Sequence, residues 1–128
     1  MQYLISIEGV VMKLSQKRAL FSRLFAELIV WAHAQGMYVA IDQVKRTQAE
    51  ANANAKSGAG ISNSNHLVGL AGDLILYEGE NYEYKDKSED YKRLGDKWKT
   101  MHPLCCWGGD FKTRVDGNHF SLEHNGVK

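Results

Sequence analysis

The sequence predicts an α+β domain in which two helices pack on one face of a small antiparallel sheet. Three observations point there. Two stretches carry apolar residues at three- and four-residue steps, and several short runs rich in strand formers are separated by turn residues. In addition, 128 residues at 44% hydrophobic content supply one core, so a single domain spanning 1–128 is expected.

The first helix is read in Ser15–Gly36, where Leu20, Leu24, Phe25, Leu28 and Trp31 form one apolar stripe. Ser15 is available as N-cap and Gly36 as the stop. His33, in the last turn, suits the helix dipole and is given a local structural role. Residues 37–42, MYVAID, fit a buried strand. Thr47 to Lys56 has helical propensity without an apolar stripe and reads as a short exposed helix, followed by a polar loop over 57–65.

Leu70 to Tyr77 reads as a central strand that contains Gly72 and Asp73. The polar segment EGENYEYKDKSED is an exposed excursion or turn. The second helix follows with Tyr91, Leu94, Trp98 and Met101 in phase, ended by Pro103. The remainder, from Cys105 to His124, is turn, loop and final strand. Cys105 and Cys106 are adjacent, which would strain an ordinary disulfide, so they are expected as free thiols near Trp107.

Lys and Arg total 16 against 15 Asp and Glu, a balance that gives no electrostatic case for nucleic acid or an anionic membrane. No apolar run is long enough to span a bilayer, and the N-terminus lacks the order of a signal peptide. The chain is therefore expected to be cytoplasmic when made. A monomer is expected, and function has to be argued from a site.

Two constellations carry chemistry. In Ser64-x-His66-x-x-Gly69-x-Ala71-x-Asp73, a polar loop runs into an apolar strand that contains a carboxylate. A buried aspartate is costly unless it is paired or bound to a cation, and a histidine at the strand's mouth can share that cation. Taken alone, the pair equally fits an aspartate bonded to backbone amides beside a surface histidine. The second constellation is Asp116-Gly117-Asn118-His119-Phe120. It offers a nitrogen ligand and a nearby carboxylate, but Asp-Gly is also a common turn dipeptide. Together the segments supply two histidines and one aspartate, which leaves a fourth position open as in catalytic zinc sites, with a spare carboxylate as base.

These residues resemble the D-alanyl-D-alanine carboxypeptidase family, which includes VanY-like and VanX-like enzymes and phage L-alanyl-D-glutamate endolysins. Ser64 to Asp73 matches its S-x-H-x-x-G-x-A-x-D motif, and WGGDF followed by DGNHF matches its C-terminal motifs. The resemblance implies one Zn²⁺ ion on His66, Asp73 and His119, with Asp116 as catalytic acid/base. It also implies that Arg46 contacts and supports a substrate oxygen, with Ser64 assisting. The implied fold is hedgehog/DD-peptidase-like.

The implied function is zinc-dependent cleavage of a peptidoglycan stem peptide, as a phage endolysin that acts as an L-alanyl-D-glutamate endopeptidase and reaches the wall after release. The alternatives are a D-alanyl-D-alanine carboxypeptidase or dipeptidase, and a non-catalytic zinc-containing binding module of the hedgehog type. Two positions depart from the family pattern. Glu50 and Ala51 stand where a glutamine is usual, and Asn118 stands where proline is usual. Asp110, in the matched region, is expected to orient a metal histidine.

Overall fold

The computed structural model describes residues 12–44 and 65–128. The expected helix over 47–56 and the loop up to residue 64, with Arg46 and Ser64, lie outside the described residues.

The long helix α1 spans Leu14–Ala34, and its buried residues Phe21, Leu24, Phe25, Leu28 and Ala32 recur at helical spacing. Ser15 is not the N-cap. Lys13 holds that position, and its backbone N–H donates to Gln16 Oε1 at 2.7 Å, so a glutamine three residues further along helps close the helix start. Gly36 follows the helix at φ +81°, as expected of a stop.

Strand β1 (Met37–Gln43) pairs antiparallel with β2 (Ala71–Glu78). The expectation of a buried strand fails for β1. Among the described residues it is an edge strand, in which only Met37 is buried and Ile41 is 59% exposed. Strand β2 is the centre of the sheet. One side pairs with β1, and the other pairs with β5 (His119–Leu122) along its first half and with β3 (Glu83–Lys85) along its second. The excursion after β2 thus returns as a hairpin strand. The C-terminal tail holds a further strand that the sequence reading did not separate, β4 (Cys105–Trp107), which pairs with β5.

Helix α2 (Lys92–Met101) contributes Leu94 and Trp98 to the core. The core lies between the helices and one face of the sheet. Leu74 and Leu76 of β2 and Phe120 and Leu122 of β5 point into it, meeting Trp98 and the α1 aromatics. Trp98 Nε1–H donates to the carbonyls of Cys106 (3.0 Å) and Ser121 (3.1 Å), so the buried indole also ties α2 to β4 and β5. Because side chains alternate across a strand, the odd-numbered residues Ala71, Asp73, His119 and Ser121 project from the opposite face. Among the described residues, no helix is long and apolar enough to cross a membrane.

Gly95 of α2 is packed so tightly that a Cβ built on it would lie 2.1 Å from the Trp107 ring. Replacing a helical glycine by alanine ordinarily stabilises by up to about 1 kcal/mol. Gly95→Ala is expected to do the opposite, lowering stability by about 1–3 kcal/mol through overpacking. The midpoint of urea unfolding checks the sign.

Candidate metal centre

Sheet register places two of the proposed ligands side by side. Asp73 of β2 is the cross-strand partner of His119 of β5, and both project from the face opposite the helices. His119 Nδ1 lies 3.4 Å from Asp73 Oδ1. The third residue arrives from a 3₁₀ turn, Asn65–Val68, immediately before β2. His66 Nε2 lies 3.2 Å from the same Asp73 oxygen. The donor atoms of His66, Asp73 and His119 all lie within 4.8 Å of one another.

His66 is held from behind. His66 Nδ1 sits 2.5 Å from the Val44 carbonyl, which can only accept, so Nδ1 carries a proton and Nε2 is the nitrogen that faces Asp73 and would ligate a cation. Val44 reaches that position after the β1 register slips by one residue between Ile41 and Gln43. The 3₁₀ turn is fastened by buried Asn65, whose amide donates to the carbonyls of Leu122 (2.9 Å) and Val127 (2.8 Å). Burial raises the Asp73 pKa, but its hydrogen bonds to His119 and His66 outweigh that effect and bring it down to about 2. It is therefore a carboxylate at neutral pH.

These residues fit a divalent cation. A buried carboxylate and two buried imidazoles converge, one histidine has its tautomer fixed for ligation, and His119 Nε2 is buried without a hydrogen-bond partner. An uncompensated buried polar atom costs about 1–3 kcal/mol and is concentrated at functional sites. A donor set of two nitrogens and one carboxylate oxygen is that of an open catalytic zinc site.

Asp116 lies on the exposed loop that leads into β5. Its backbone is fixed on both sides. Its N–H donates to Gly108 O at 3.0 Å, and its carbonyl accepts from His119 N–H at 3.1 Å. This contact explains Gly108, where a Cβ would lie 2.0 Å from the Asp116 carbonyl oxygen, whereas a Cβ on Gly109 would lie 2.2 Å from the Trp107 ring. Trp107 is buried, and its Nε1–H donates to Gly117 O at 2.6 Å.

Asp110 does not orient a metal histidine. It pairs on the surface with Lys99 Nζ at 2.7 Å, and a backbone carbonyl fills the orienting role for His66. Asn65 and Ser88, which takes part in holding the Asp116 loop, were missed by the sequence reading. A polar residue beside His66, at the mouth of an apolar strand, was the available signal for Asn65, whereas Ser88 carries no comparable mark. His33, His102 and His124 make local contacts with Val39, Leu104 and Lys17 respectively. Cys105 and Cys106 are free, and burial pushes the Cys105 thiol up to about 12.

The fold and this cluster define a small α+β domain with a three-residue, largely buried metal-type site on the sheet face opposite the helices. The family model described as D-alanyl-D-alanine carboxypeptidase matches residues 57–122. The chain belongs to the D-alanyl-D-alanine carboxypeptidase family. A curated relative, the L-alanyl-D-glutamate peptidase of a Listeria phage, is 31% identical over 102 residues, which is 78% of this chain and 36% of the relative. The chain thus spans about a third of that relative's length.

Two solved structures share the fold. The L-Ala D-Glu endopeptidase ChiX of Serratia marcescens matches with a TM-score of 0.63 at 19% identity, over 82% of this chain and 79% of that one. The vancomycin-resistance D,D-pentapeptidase VanY, solved in complex with Zn(II), matches with a TM-score of 0.55 at 19% identity, over 80% and 70%. The α+β expectation with two helices on one face of an antiparallel sheet is borne out by the architecture and by both structures.

The Asp73 environment has a consequence for the metal-free protein. A folded pKa of about 2 against an ordinary 3.8 means that ionised Asp73 stabilises the fold above its ordinary pKa, and that this contribution is lost as pH falls through 2. Its size is on the order of 2 kcal/mol. Urea unfolding between roughly pH 2 and 6 should show a steeper loss for wild type than for Asp73→Asn, and equal slopes would contradict the assignment.

Proposed function

We propose that this chain is a zinc-dependent peptidoglycan peptidase that hydrolyses the L-alanyl-D-glutamate amide of the stem peptide. One Zn²⁺ ion is held by His66, Asp73 and His119. The observation that carries this reading is the convergence of those three side chains within 4.8 Å, with Asp116 three residues before His119 on a loop whose backbone is fixed. The bond is chosen on the names of the phage relative and of ChiX.

Zinc in this site supplies Lewis-acid polarisation of the amide carbonyl and activation of a water. The chain's own groups do the rest. Val44 keeps His66 in the ligating tautomer, and ionised Asp73 supplies the negative charge that offsets the cation. Asp116 accepts a proton from the attacking water and delivers it to the amine nitrogen as the carbon–nitrogen bond breaks. Arg46, permanently charged, supports the carbonyl oxygen as negative charge develops there, and Ser64 hydrogen-bonds the substrate. The working place is the bacterial cell wall and the protein acts as a monomer.

A second reading, removal of terminal D-alanine as a carboxypeptidase, is favoured by the description of the matching family and by VanY. Mass spectrometry of purified walls separates the two. The endopeptidase frees the stem peptide from its muramyl-linked alanine, whereas the carboxypeptidase frees single D-alanine.

Zinc chelation should abolish product release and zinc addition should restore it. Asp116→Ala is expected to lose at least about 100-fold in kcat while binding one equivalent of zinc. A wild-type rate in this variant would remove Asp116 from the reaction.

A further inference from the structure

The loop that carries Asp116 has no regular secondary structure, and residues 112–116 are exposed. The placement of its side chain rests in part on the backbone on either side of it, including the peptide plane between Asp116 and Gly117. That plane is pinned at both ends. The Asp116 carbonyl accepts from the backbone N–H of His119 at 3.1 Å, and the Gly117 N–H donates to Ser88 Oγ at 2.9 Å. The next plane is held by Trp107 Nε1–H on Gly117 O. Two of these partners, His119 and Trp107, come from the motif segments. Ser88 does not: it opens the 3₁₀ turn Ser88–Tyr91 that leads into α2, 29 residues away in sequence.

We infer that Ser88 is a positioning residue for the reaction, acting through the Gly117 amide to fix the orientation of Asp116. The inference rests on the reading of Asp116 as the acid/base. The hydroxyl accepts from that amide, and the amide belongs to the same rigid plane as the carbonyl bonded to His119. Without it, the plane loses one of the two hydrogen bonds that pin it, and the backbone that carries the Asp116 side chain gains freedom. Displacement of a reacting group by about 1 Å costs on the order of 100-fold in rate. Substrate contacts and the three metal-site residues are left in place, so the effect falls on turnover rather than on binding.

The test is Ser88→Ala in the intact chain, compared with wild type and Asp116→Ala. Three results are expected: kcat on peptidoglycan roughly 10- to 100-fold lower with KM unchanged, zinc stoichiometry equal to wild type, and faster hydrogen exchange at the Gly117 amide in both metal-free and zinc-loaded protein. Wild-type kcat in Ser88→Ala, with Asp116→Ala inactive, overturns the role of Ser88 and leaves the acid/base reading standing. A fall in kcat matched by a rise in KM or by loss of zinc also overturns it, because the hydroxyl would then serve the fold of the whole site. If Asp116→Ala turns over at the wild-type rate, the acid/base reading itself fails, and the inference goes with it.

Discussion

The cross-strand pairing of Asp73 with His119 is the constraint on which the rest of the site depends. It joins two residues 46 positions apart in the chain and puts both on the face of the sheet away from the helices. Register in a strand is all or nothing: a slip of one residue would turn Asp73 into the core and bring Leu74 to the open face. The core therefore specifies the site. Leu74, Leu76, Phe120 and Leu122 are fully buried under the helices, and satisfying their burial forces the alternate residues outward as donors.

The remaining parts are brought to that pair by backbone rather than by further side-chain chemistry. The β1 slip delivers the Val44 carbonyl to His66, Asn65 fastens the turn that carries His66, and Gly108 lets the Asp116 backbone come within hydrogen-bond distance. This division of labour gives a rigid frame behind a small polar centre. A buried carboxylate beside two imidazoles is expensive to maintain, and the hydrogen bonds that offset its burial are the ones that hold the three donors together.

Much of this was legible in the sequence, and the parts that were not have a common physical origin. His66, Asp73 and His119 could be named because a carboxylate and histidines in apolar surroundings demand an explanation, and because side-chain identity is what a sequence records. The Val44 carbonyl could not be named, since every residue has one. Asp110 drew the orienting role only because it was the nearest carboxylate in the motif, whereas Lys99 had a simpler claim on it. Strands β3 and β4, of three residues each, are too short to show a period, and MYVAID has the composition of a buried strand while lying at the sheet's edge. Composition reports the propensity to extend, and position in the sheet is decided by what pairs on either side.

The central claim is that a metal ion sits where the sheet register brings these donors together. Anomalous diffraction at the zinc edge from crystals grown with one equivalent of zinc tests it most directly. The expected result is a single strong peak bounded by His66, Asp73 and His119, with zinc–nitrogen distances of about 2.0–2.1 Å. A peak held elsewhere on the chain, or none at this position in zinc-containing crystals, would contradict the account.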